Sequence, residues 1–230
     1  QGMMVVFDQK NGKPLGLLQD EGYLTDVRTA VAGAICAKYL APNNIQAIGI
    51  IGTGVQARMQ LEYLKSVTDC RSAIVWGRSK SALDQYRTSM ADSGFIIETT
   101  MALDQVTDNC NLIVTCTASE KPLIIKDQIK GKIHITAMGS DTPNKQELDS
   151  NVLSKADLII ADSRSQCEVR GEIHHAIKNK IVSMDSIVEL GEIINGDRRG
   201  RTTGSALTVA DLTGVAVQDI QISKAVLSNI

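Results

Sequence analysis

From residue 46 onward, short apolar runs alternate with amphipathic stretches. Runs that read as buried strands fall at 46–51, 72–76, 94–99, 111–116, 133–137 and 157–161. Between them, apolar residues at helical spacing predict helices at 55–66, 79–91 and 165–178, with short helical stretches near 102–108 and 149–155. This alternation predicts a parallel sheet with helices on both faces. Ahead of it, Met3 to Phe7 and Leu15 to Leu18 read as two strands, with Asn11-Gly12 as the turn between them. Leu24 to Leu40 is an Ala-rich helix that Thr25 or Asp26 can cap and that Pro42-Asn43-Asn44 ends. Gly196 to Gly200 is a loop, and Thr208 to Ile230 reads as helix.

The fold class that follows is α/β. A Rossmann-type doubly wound parallel sheet occupies 44–204. The flanking parts, 1–43 and 205–230, are expected to pack together as a partial second α+β domain, with the active site in the cleft between. A hairpin that begins at residue 1, with no initiator Met, predicts that the chain lacks an N-terminal part.

Composition narrows the picture. At 230 residues the chain suits one large or two small domains. With two Phe, four Tyr and one Trp, its core must be aliphatic. A net charge of −2 offers no electrostatic footprint for nucleic acid or an anionic membrane. No apolar run approaches the ~18–20 residues that span a bilayer, and no charged-then-apolar leader opens the chain. The five cysteines (36, 70, 110, 116 and 167) form no CxxC pair and no Cys/His cluster. Reduced thiols, no metal and a cytoplasmic location are the expectation.

The sharpest local feature is Gly52-Thr53-Gly54-Val55-Gln56-Ala57, placed between a strand and a helix. That is the context of a dinucleotide-binding G-x-G-x-x-G/A turn, whose helix N-terminus offers free N–H groups to a pyrophosphate. An ordinary tight strand-to-helix turn is the plainer reading. The second strand of the unit ends without the acid that bonds a ribose 2′-hydroxyl. Arg78, Ser79 and Lys80 stand there instead and suit a 2′-phosphate, which favours NADP over NAD. Arg78 stacked on adenine, or simply solvated, is the alternative. Thr117, Ala118 and Ser119 follow another strand end and would line the cofactor groove, or form a polar turn. The run through Met138 and Gly139 to Asp141 ends a further strand. Asp141 is placed to move a proton or hold a substrate ammonium, or else to form an Asx-turn before Pro143. Arg28 is the one basic residue in the early part of a small-residue helix. It could fork a carboxylate or lie on the surface. His134, His174 and His175 form no triad with a nucleophile, and no GxSxG elbow occurs.

Taken together, Leu24 to Ala30, Gly52 to Ala57, Val75 to Arg78, Gly139-Ser140-Asp141 leading to Lys145-Gln146-Glu147-Leu148, and Asp211 to Asp219 resemble the ornithine cyclodeaminase/mu-crystallin family. TAMGSD (136–141), GEIHHA (171–176) and DLTGVAVQD (211–219) look closest to its ectoine-utilisation branch. The resemblance implies a Rossmann domain, a split second domain that dimerises through β-structure, and hydride transfer between NAD(P) and the Cα of a small amino or imino acid. It implies Arg28 as the carboxylate-binding residue and Asp141 as the catalytic acid. A homodimer, with no nucleic-acid or membrane partner, is expected. Cyclodeamination of ornithine, or non-enzymatic binding of NADPH and a small ligand, are the alternatives. Two departures stand out. The family's N-terminal section, which carries a substrate-binding Lys and a further Arg, is absent. Asn144 also stands where many members have Gly.

Overall fold

The computed structural model describes residues 2–229. Strands β1 (Met4–Phe7) and β2 (Pro14–Leu18) pair antiparallel as a separate two-stranded sheet. Alternate residues on that hairpin are exposed: Met3, Val5, Phe7, Leu15 and Leu17. Helix α1 (Tyr23–Leu40) leads from it into the larger sheet.

That sheet alternates strand and helix as the sequence pattern requires. Its first half is β3 (Ile48–Ile51), α2 (Val55–Leu64), β4 (Ser72–Trp76), α3 (Lys80–Ser89), β5 (Ile96–Thr100), α4 (Leu103–Asn109) and β6 (Leu112–Thr115). The second half is β7 (Ile133–Ala137), α5 (Ser150–Lys155), β8 (Leu158–Ala161), α6 (Arg164–Cys167), α7 (Gly171–Lys178), β9 (Ile187–Glu189), α8 (Leu190–Ile194) and β10 (Leu207–Asp211), with α9 (Ala216–Leu227) last. All eight strands run parallel in the order β5-β4-β3-β6-β7-β10-β8-β9. The order reverses between β3 and β6, and ligands collect beyond the strand C-termini at such a switch point.

Period-two alternation fills the two faces. Ile48, Ile50, Leu112 and Val114 meet Ala57, Leu61 and Leu64 of α2. Ile51, Ile113, Ile133 and Ile135 point the other way, toward Val106 of α4 and Val152 and Leu153 of α5. Under α1 the sheet is partly polar. His134 is fully buried, with its ring nitrogens 2.8 Å from the Thr208 hydroxyl and 2.9 Å from that of Thr136. Burial pushes its imidazole down to about 3.

Three expectations need correction. The stretch from Thr208 is not helical at its start. Leu207 to Asp211 is wholly buried and inserts as β10 between β7 and β8, and helix begins only at Ala216. The two polar residues of β10, Thr208 and Asp211, are themselves buried and stand three apart, so the run shows no period of two. This strand lies past residue 205, so the sheet draws chain from beyond the expected division. Next, the helix expected over 165–178 is broken into α6 and α7 at Gly171, whose φ is +90°. A Cβ there would lie 2.4 Å from Asp211 Oδ2, the oxygen that caps α7 through the N–H of Ile173. Finally, the apolar pattern, which assigns no element between 178 and 196, gives no sign of the short β9 and α8.

Candidate functional site

The turn from β3 into α2 has the form a phosphate seat needs. Gly52 has a φ of +130°, and a Cβ on it would lie 2.9 Å from the Cys116 carbonyl oxygen. Gly54 is the N-cap of α2, no side chain caps the helix, and nothing lies within 4 Å of where its Cβ would be. No side chain therefore takes up the first N–H groups of α2, which lie at the positive end of the helix dipole. Gln56 ties this turn to α1 by donating to the Asp26 carbonyl at 3.1 Å and to its carboxylate at 2.9 Å. Thr53 lays its methyl against Gly77, and Val55 is exposed. These residues fit a dinucleotide.

Arg78, Ser79 and Lys80 follow β4 and are all exposed. Ser79 is the N-cap of α3, its hydroxyl 3.5 Å from the Ala82 N–H. Thr117, Ala118 and Ser119 follow β6. The Ser119 hydroxyl donates to the Lys121 carbonyl, so it braces its own turn. Thr117 is turned inward onto Glu147. The Cys116 thiol, next to this turn, is pushed up by burial and by Glu147, which keeps it protonated and inert.

Arg28 and Asp141 come together. Both line a pocket of about 210 Å³ with Asp26, Gln56, Met138 and Gln218. Asp141 is exposed, bonds Lys145 at 2.6 Å, and has no backbone N–H as a partner among the described residues. It therefore does not serve as an Asx-turn or a helix cap. The Arg28 guanidinium donates from Nε to Asp219 at 3.0 Å and from Nη1 to Gln218 at 3.1 Å, both near the start of α9. Ser140 and His175 both hold the Lys145 carbonyl, which fixes the loop that carries Asp141.

Three buried carboxylates, Glu147, Glu172 and Asp211, and the half-buried Asp162 stand behind the site, and the sequence assigns none of them a role. Glu147 bonds both strand-end turns. Glu172 accepts the N–H groups of Glu147 and Leu148 at 2.8 and 3.0 Å. Asp162 holds the Gly214 N–H at 2.7 Å, and Asp211 caps α7. Burial raises all four carboxyls above their ordinary values. No group of His, Cys, Asp and Glu suited to a metal occurs among the described residues, and none of their helices is long and apolar enough to cross a membrane.

The family model described as "Ornithine cyclodeaminase/mu-crystallin family" matches residues 1–230. An uncharacterized cyclodeaminase of Sinorhizobium fredii is 40% identical over 224 residues, which is 96% of this chain and 68% of that protein. Among solved structures, an archaeal alanine dehydrogenase dimer with bound NAD superposes with a TM-score of 0.92 at 34% identity, covering 99% of this chain and 70% of that one. The Δ1-pyrroline-2-carboxylate reductase of Thermococcus litoralis, in complex with NADH and L-proline, gives 0.92 at 26% identity, covering 98% and 70%.

Proposed function

The chain belongs to the ornithine cyclodeaminase/mu-crystallin family, and from that premise we propose that it is an NAD(P)-dependent enzyme that reduces small imino acids or oxidises the matching amino acids at Cα. One observation carries this reading: Arg28 and Asp141 line a single small pocket beside the Gly52–Gly54 turn. A carboxylate anchor and a proton-handling acid are what an amino or imino acid requires.

A nicotinamide cofactor, when bound, supplies or takes the hydride. Gly52, Gly54 and the open N-terminus of α2 would hold its pyrophosphate, and Thr117 to Ser119 and Met138-Gly139 would flank its other half. Arg28 binds the substrate carboxylate through the guanidinium edge that Asp219 and Gln218 leave free. Asp141 holds or moves a proton at the substrate nitrogen, and its ion pair with Lys145 aims it. Arg78 and Lys80 take the 2′-phosphate, which makes NADP the preferred cofactor. The exposed β1–β2 face and the helices at the two chain ends form the substrate and dimerisation module of a homodimer.

A second reading has the same residues serve a cyclodeaminase. The name of the 40% identical relative favours it. In that case a hydride would pass from the Cα of ornithine to the nicotinamide and return after ammonia has left, with no net change of cofactor. Incubation of the intact protein with NADPH and 2-oxo acids plus ammonia, and separately with ornithine and NAD, separates the two. Net loss of NADPH marks the reductase. Ammonia release from ornithine with no net change of cofactor marks the cyclodeaminase.

A further inference from the structure

The turn after β6 and the turn after β7 are tied to one side chain. Glu147 is fully buried. Its Oε1 accepts the Thr117 N–H at 2.6 Å and the Thr117 hydroxyl at 2.7 Å. Its Oε2 accepts the Thr115 hydroxyl at 2.7 Å and the Gly139 N–H at 2.8 Å. Every lone-pair position thus faces a neutral donor, an arrangement that suits the acceptor-only carboxylate. Burial pushes this carboxyl up, and the hydrogen bonds pull it back. From behind, Glu172 in the first turn of α7 grips the N–H groups of Glu147 and Leu148. The two turns are in direct contact. A Cβ on Gly139 would lie 2.1 Å from the Thr117 carbonyl oxygen and 2.6 Å from Glu147 Cδ.

One of these turns lines the cofactor crevice, and the other leads within two residues to Asp141. We infer that Glu147 is a positioning residue which, acting through Thr117 and Gly139, sets the distance between the cofactor-side turn and the turn that aims Asp141. The inference rests on the site reading given above. A carboxylate is required because an amide has one oxygen only. However a glutamine turned, its NH2 would face either the Thr117 or the Gly139 N–H, and one turn would have to move. A misplacement of about 1 Å at a reacting centre costs on the order of 10²-fold in rate.

The test is Glu147→Gln in the intact protein. The expected result is a kcat at least tenfold lower, with a smaller rise in the Kd for NADPH, because the Gly52–Gly54 seat is not among the groups that Glu147 bonds. Amide exchange over 115–119 and 137–141 should quicken, while that of α2 stays as it was. A role in stability alone would lower Tm and leave the kcat of the folded protein at the parent value. Thr117→Val keeps the backbone bond and loses the hydroxyl one, so it should show a smaller fall in the same direction. It decides the matter if the Gln variant does not fold. A kcat within twofold of the parent, or unchanged exchange over both turns, overturns the inference. If the parent turns over no amino or imino acid, the reading of the reaction has failed. The inference is then judged on exchange alone, and unchanged protection at 115–119 and 137–141 overturns it.

Discussion

The Arg28 guanidinium lies 3.0 Å from the Asp219 carboxylate, although 191 positions separate the two in the chain. The contact joins α1 to α9 and engages the Nε side of the arginine. Gln218 takes Nη1, and Nη2 has no hydrogen-bond partner among the described residues. The pair is partly solvated, so its own contribution to stability is on the order of 0–1 kcal/mol. Its larger effect is on the aim of the guanidinium.

Arg28→Lys should therefore raise the substrate KM about tenfold or more and change kcat little. A point charge replaces a planar fork, and the loss falls on binding common to ground and transition states. Steady-state kinetics with the best amino or imino acid checks this. An unchanged KM would mean that the substrate carboxylate is held elsewhere.

The exposed group at 78–80 predicts a cofactor preference. NADPH should bind more tightly than NADH, and Arg78→Ala should remove most of the difference. A lost charge-assisted hydrogen bond is worth about 1.5–3 kcal/mol, which corresponds to roughly tenfold or more in Kd. Fluorescence titration with both cofactors measures it, and equal affinities in the parent would refute the assignment.

His134 makes stability depend on pH. Its folded value is depressed to about 3 from 6.5, so the stability it confers is complete above pH 6.5 and drains away as pH falls toward 3. The slope is about 1.4 kcal/mol per pH unit, or roughly 2 kcal/mol between pH 6.5 and 5. The carboxylates Glu147, Asp162, Glu172 and Asp211 act in the opposite sense. Their folded values are raised, so they favour the fold at low pH and lose that contribution as pH rises through them. Comparing the parent with His134→Asn isolates the histidine. Denaturant melts at pH 6.5 and pH 5 should show the parent losing roughly 2 kcal/mol more than the variant. Equal losses would show that the imidazole is not buried neutral.

The hairpin predicts assembly. Val5 and Leu17 are cross-strand partners, both exposed. Light scattering at micromolar concentration should give a dimer for the intact protein. Val5→Lys with Leu17→Lys places like charges opposite each other and should give a monomer. A monomeric parent would contradict the proposal.

The alternation of apolar runs made the sheet legible, because parallel strands buried on both faces stand out as short uninterrupted blocks. The glycine turn was legible because its function depends on residues adjacent in sequence. β10 is not legible, because its polar residues Thr208 and Asp211 are buried and stand three apart, which hides the period of a strand. The break at Gly171 was missed because its cause, the Asp211 carboxylate, lies 38 residues from the N–H it caps. Glu147 was hidden for the same reason. It lies in a polar loop, and its partners Thr115 and Thr117 are 32 and 30 positions away. The one available signal was its place beside Leu148 in the Lys145–Leu148 segment that carries the family resemblance.

The central claim is that Asp141 handles a proton for a substrate whose carboxylate Arg28 holds. The most direct measurement is the kcat of Asp141→Asn against that of the parent, with NADPH and a panel of pyruvate, glyoxylate and oxaloacetate, each with ammonia, and with ornithine and NAD alongside. The account predicts turnover by the parent on at least one of these. It predicts a kcat about 10²–10⁴-fold lower in the variant with an unchanged Kd for the cofactor. Asp141→Asn turning over at the parent rate would contradict it.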